Sequence, residues 1–111
     1  MIRLKLERDQ ARQVTTWFNY WHMICNGNIA HPDNVQNQKY LWKVFDCIIY
    51  QVEKKFDTKL NSKAKKLNFT LTPAEGIILQ EFCKKTPIDG KEFYLLSLRQ
   101  FIIDRLDVQI I

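Results

Sequence analysis

The chain has 111 residues, 46% hydrophobic and 13% aromatic with only 3 Gly and 3 Pro, which suits one packed core and excludes a disordered tail or a turn-punctuated sandwich. Its formal charge is +5, and its three cysteines have no close pairing in sequence, so they form no disulfide framework and fit a reducing compartment. No stretch is long and apolar enough to span a bilayer, and the opening MIRLKLERDQAR lacks the apolar run of a signal peptide; the expectation is a cytoplasmic protein with no membrane partner.

Residues 2–6, Ile2-Arg3-Leu4-Lys5-Leu6, alternate apolar and polar, the period of a strand with one buried face. The period then lengthens. A helix is predicted over 9–26, where Ala11, Val14, Phe18, Trp21 and Cys25 recur every three or four residues, with Trp17 and Ile24 widening the stripe. Inside it, TWFNYWHMIC gathers two Trp, a Phe, a Tyr and a His in ten residues. Such a helix is apolar around more than half its circumference and needs more than one covering neighbour, so most of these rings are expected in the core. Tyr20 and Met23 fall away from the stripe and are the candidate protein-contact positions. Asn26-Gly27-Asn28 and Pro32 end the helix, since Gly and Asn tolerate the left-handed cap and Pro cannot continue the ladder.

Asp33 and Gln36 have capping-box spacing and open a second helix, predicted over 34–60. Its buried stripe is read as Leu41, Phe45, Ile48, Val52, Phe56 and Leu60, flanked by Val44 and Ile49. The other face carries Lys39, Lys43, Tyr50 and Lys54. Between Lys39 and Lys66 eight lysines stand against Asp46, Glu53 and Asp57, so this segment holds the whole excess charge and the rest of the chain balances. Lysines neutralise phosphate and release its counterions, which makes Lys54, Lys55, Lys59, Lys63, Lys65 and Lys66 candidate nucleic-acid contacts. The competing reading is a solvated connector whose lysines meet the negative end of a helix dipole. The absence of Arg from the segment favours it, because Arg is the bidentate phosphate clamp.

Residues 67–71, Leu67-Asn68-Phe69-Thr70-Leu71, alternate like the first strand and are expected to pair with it. Thr72-Pro73-Ala74-Glu75 then supplies a hydroxyl cap, Pro at the first helical position and Glu at the third. The helix so opened is predicted over 73–85 and is stopped by Thr86-Pro87. Asp89 and Glu92 repeat the box spacing before a last helix over 91–108. Residues 71–105 thus invite a helix–turn–helix reading with Gly90 in the turn, and the LTPAE start resembles that of winged-helix transcription regulators. A recognition helix, however, exposes polar side chains at its start. Here Phe93, Tyr94, Leu95, Leu96 and Leu98 read as core, so no residue role is carried over from that family. The ending LDVQII alternates and is expected to dock, on its own sheet or on a second subunit, with Val108 and Ile110 as contact positions.

The fold class expected is mainly α: a four-helix single domain over 1–111 with a small two-stranded sheet. Laying LKLERDQARQV (4–14) over FTLTPAEGIIL (69–79) matches Leu4 with Phe69, Leu6 with Leu71 and Val14 with Leu79, which suggests two strand–helix–helix halves; a chance match of two strand–helix junctions is the alternative.

Catalytic chemistry finds little support. Ser62 and Ser97 have no partner fixed by spacing, and neither a glycine-rich phosphate loop nor a zinc-protease motif occurs. The best metal constellation, His22-x-x-Cys25 with His31 and Cys47, lacks paired C-x-x-C spacing. Cys25, Cys47 and Cys83 lie in apolar runs, where a thiol packs as a small hydrophobe. Asp104 and Asp107 with Arg105 read as a solvated face. The expectation is therefore no enzyme, no metal and no cofactor, but an interaction or structural protein of the adaptor or accessory kind. Its partner would be another protein or a second copy in a C2 dimer; the alternative is nucleic acid held by segment 39–66.

Overall fold

A computed structural model describes the backbone of residues 1–25 and 39–110, and the side chains of residues 1–23 and 44–110. The elements run β1 (Ile2–Glu7), α1 (Arg8–Cys25), α2 (Lys39–Leu60), β2 (Lys66–Leu71), α3 (Pro73–Lys85) and α4 (Phe93–Asp107). The fold is mainly helical with a small sheet, as expected. The stop signal at Asn26–Pro32, the box at Asp33–Gln36, and the side chains of Ile24, Cys25 and Leu41 lie outside the described residues.

The two strands pair antiparallel, with Ile2 opposite Leu71, Leu4 opposite Phe69 and Leu6 opposite Leu67. All six are buried, and the alternate residues of both strands are exposed. A period of two against a single buried face fixes this register, since a one-residue slip would turn the apolar set into water. The same register is consistent with the two-halves reading. Shifting Leu4 onto Phe69 sends the pair Ile2–Leu71 onto Leu67–Leu6 and the pair Leu4–Phe69 onto itself. An approximate two-fold axis therefore passes between Leu4 and Phe69.

Helix starts obey the same shift: α1 begins at Arg8 and α3 at Pro73. At both starts a side-chain oxygen of the third helical residue takes the N–H three positions back, Gln10 Oε1 from Glu7 at 2.9 Å and Glu75 Oε1 from Thr72 at 2.8 Å. In the second half the box is complete, because Thr72 Oγ1 also accepts the Glu75 N–H. A Cβ at Gly76 would run into Cδ1 of the Ile2 side chain, which would have to shift to admit it.

Both halves contribute to one core. Trp17, Phe18 and Trp21 of α1 are buried, so most of the aromatic cluster is core. Phe18 stacks on Phe82 at 4.9 Å and meets Phe56 edge-on at 5.4 Å, while Phe56 stacks on Phe69 at 4.1 Å. Trp21 packs on Phe45, and its Nε1–H donates to Asp46 Oδ1 at 2.8 Å. Along α2 the buried residues are Phe45, Ile49, Val52 and Phe56. Ile48, expected in the stripe, is only half buried, and its expected flank Val44 is exposed. The stripe turns toward Ile49 because α2 must cover α1, α3 and β2 together.

Both ends of α4 differ from expectation. Asp89 does not cap it: the Asp89 carboxylate accepts the Lys91 N–H, its carbonyl accepts the Glu92 N–H, and Glu92 becomes an N-cap without a side-chain bond. The helix starts at Phe93, leaving Phe93 and Tyr94 exposed rather than in the core. At the other end the expected terminal strand is absent. The N–H groups of Val108 and Ile110 return to Asp104 and Leu106 carbonyls, so helical turns continue through the alternating residues. Among the described residues no helix is long and apolar enough to cross a membrane.

Candidate functional site

The open face of the sheet displays Arg3, Lys5 and Glu7 from β1 with Lys66, Asn68 and Thr70 from β2. On each outer edge one outward-facing residue is met by a side chain. Gln109, just beyond α4, accepts the Arg3 N–H through Oε1 and donates Nε2–H to the Arg3 carbonyl, each at 2.8 Å. Arg3 thus turns its backbone groups outward, and so does Thr70 opposite it, because antiparallel pairs alternate between inward and outward bonding. The outward Thr70 carbonyl accepts from Lys55 Nζ at 2.8 Å.

Shallow hollows border the ribbon along both sides. One, between α4 and β1, is lined by Arg3, Lys5, Phe101, Arg105, Val108 and Gln109. The other, between α2 and β2, is lined by Lys54, Lys55, Thr58, Lys59, Phe69 and Thr70. A third on the ribbon itself shares Arg3 and Lys5 with the first and Phe69 and Thr70 with the second. The three form one continuous surface whose lining, among the described residues, holds six cationic side chains and no carboxylate. Glu7 stands at the ribbon's far end, opposite Lys66, beside a hollow shared with Arg8, Asp9 and Lys65.

These cations have different duties. Lys55 ties α2 to α3, its Nζ lying 2.7 Å from Glu75 Oε1. Burial pushes the Glu75 carboxyl up, but the Lys55 and Thr72 hydrogen bonds and the Lys55 charge together hold it below the ordinary value of 4.5. Lys55 is therefore largely a structural cation. Lys54 leans over the Tyr50 ring and Arg105 over the Phe101 ring, at 4.6 and 5.2 Å, modest attractions that orient an exposed charge. Arg3, Lys5, Lys54, Lys59 and Arg105 remain directed to solvent.

Arg8, which carried no signal in the sequence, organises the lysine-rich connector. Its guanidinium donates to the carbonyls of Leu60, Ser62 and Ala64, and its backbone N–H to that of Lys65. The orphan carbonyls at the end of α2 thereby gain a cation as well as donors. Arg3, Lys5 and Arg105 were also missed. They lie far from segment 39–66 in sequence and join it only through strand register and the docking of α4.

Of the six lysines singled out from the sequence, Lys54, Lys55 and Lys59 meet in one hollow, Lys65 and Lys66 in another, and Lys63 is exposed on the connector. Tyr20 and Met23 on α1 are 37% and 49% exposed. Val108 forms a wall of the α4–β1 hollow, whereas Ile110 packs partly buried against the core. Tyr20 and Met23 thus sit on α1 and Val108 and Ile110 just beyond α4, with different degrees of exposure. Of the metal constellation, His22 is bonded to Glu53 at 2.6 Å, and the Cys25 side chain and His31 lie outside the described residues. Cys83 is buried, its thiol pushed up to about 12 by desolvation, so it behaves as a small hydrophobe. Cys47 does not, being exposed on α2. No protein-family model, curated protein or solved structure matches the chain.

Proposed function

We propose that this protein is a non-enzymatic nucleic-acid-binding module whose contact surface is the open β1–β2 face with its two flanking hollows. One observation carries the reading: Arg3, Lys5, Lys54, Lys59 and Arg105 face solvent on a continuous surface with no carboxylate in its lining among the described residues. A surface built only for solubility intersperses both signs. Concentrated cations raise the local potential and bind phosphate by releasing counterions. The face also supplies two Arg, the fork-shaped donors that the lysine-rich segment lacks on its own.

The test is a mobility shift against salt with duplex and single-stranded probes. Three to five phosphate contacts give a log–log salt slope of about −3 to −5 on a duplex. The triple change Arg3→Glu, Lys59→Glu and Arg105→Glu is expected to abolish binding with the fold intact by circular dichroism. Lys63→Glu, Lys84→Glu and Lys91→Glu together make the same change in net charge away from the face and are expected to retain binding. Equal loss in the two triples would reduce the interaction to general cationic attraction and overturn the proposal.

A second reading, an adaptor that contacts another protein or a second copy of itself, draws on Tyr20 and Met23 and on Phe93 and Tyr94, the last two 77% and 56% exposed. Exposed rings at a helix start are anchors of the kind that protein interfaces use. A concentration-independent monomer by sedimentation would remove the self-association form. Capture of a protein partner that Phe93→Ser with Tyr94→Ser abolishes would support the other.

A further inference from the structure

Resting on the nucleic-acid reading, we propose that the ligand is B-form duplex DNA, with the β1–β2 ribbon lying in the major groove and the approximate two-fold axis of the sheet set on a dyad of the duplex. The ribbon is bordered on each long side by a hollow, and each hollow takes its flanking cations from the second helix of one half: Lys54 and Lys59 from α2, Arg105 from α4. A DNA groove is likewise bounded on both sides by phosphate backbones related by a dyad. Two strands about 4.8 Å apart, with their side chains, fit a B-form major groove about 12 Å wide. The A-form major groove of duplex RNA is too deep and narrow for side chains to read.

Single strands are bound by stacking bases on exposed rings. The two aromatic residues lining these hollows do not offer one: Phe69 is only 1% exposed, and the Phe101 ring lies beneath the Arg105 guanidinium. The ribbon instead presents Arg3, Lys5, Asn68 and Thr70, donors and acceptors that suit base edges. The two-fold relation makes a sharper statement. The shift that places Leu4 on Phe69 places Arg3 on Asn68 and Lys5 on Thr70, so equivalent positions carry different chemistry. Arg pairs bidentately with guanine and Asn with adenine. The backbone contacts therefore lie on both sides of the dyad while the base contacts differ across it, and the preferred site is not a palindrome.

The test compares a DNA duplex, an RNA duplex and a single DNA strand of one sequence, followed by phosphate-ethylation interference and selection from a randomised duplex pool. The DNA duplex is expected to bind at least about ten-fold tighter than either alternative. Interference should fall on both strands flanking one major groove, and Asn68→Ala should reduce discrimination at one selected A·T pair by roughly ten-fold. Equal or tighter binding of RNA or single strands, interference on one strand only, or a fully palindromic selected site would overturn the docking while leaving nucleic-acid binding in place. Failure of every probe to bind in a salt-graded way would remove both.

Discussion

Glu75 is a carboxylate whose side chain is 5% exposed, held by the Lys55 ammonium and the Thr72 N–H. Its folded-state pKa is depressed, so the unfolded chain binds more protons than the native one as acid is added. The stabilisation is then present above the unfolded carboxyl range and is lost as pH falls through the folded value. Urea titrations from about pH 6 to pH 3 should show stability declining on the acid side, with a shallower decline in Glu75→Gln; equal acid limbs in the two proteins would show that Glu75 does not control it. Arg8 makes a second prediction at this scale. Arg8→Ala leaves the carbonyls at the end of α2 without their charged donor and should cost roughly 1.5–3 kcal/mol by denaturant unfolding. Arg8→Lys should recover only part of that, since a single ammonium does not span several carbonyls as a planar fork does.

At the level of elements, α2 offers a direct comparison. Phe45 packs on Trp21 and is buried, while Ile48 is half buried. Phe45→Ala should cost roughly 3–5 kcal/mol and Ile48→Ala under about 2; similar losses would mean that the helix is rotated back toward the Ile48 side. Periodicity alone does not choose between the two stripes, because 45, 48, 52, 56 and 45, 49, 52, 56 are both helical spacings and only the neighbours of α2 distinguish them. The strands and the start of α3 were legible, since a period of two and a Thr-Pro-Ala-Glu box act over a few residues and need no distant partner. The start of α4 was misread for the complementary reason: an Asp three residues before a Glu also serves a turn, and Asp89 binds the Lys91 N–H instead. The candidate site was half legible. Its lysines stood out as a charge excess, but Arg3, Lys5 and Arg105 reach the same face through pairing and docking, which no local pattern encodes.

Across the whole molecule, the rings that would close each half's core are supplied by the other. Phe18 of the first half stacks on Phe82 of the second, and Phe56 of the first stacks on Phe69 of the second. Neither half buries its apolar residues alone, so the chain should unfold in one cooperative transition. Far-ultraviolet and near-ultraviolet circular dichroism should give the same midpoint in urea, and separated midpoints would show that the halves unfold independently. A sheet of two strands consists only of edges, and the Gln109 carboxamide occupies one of them as a third strand's backbone would, meeting both polar groups of Arg3. That substitution has a colloidal consequence. Vacant edge groups are templates on which extended chains of other molecules add and grow into fibrils, and here one glutamine fills the Arg3 position of the β1 edge. Gln109→Ala should therefore shorten the lag before thioflavin-positive aggregates form under agitation while changing unfolding stability by only about 1 kcal/mol; an unchanged lag would show that the edge is closed by other means.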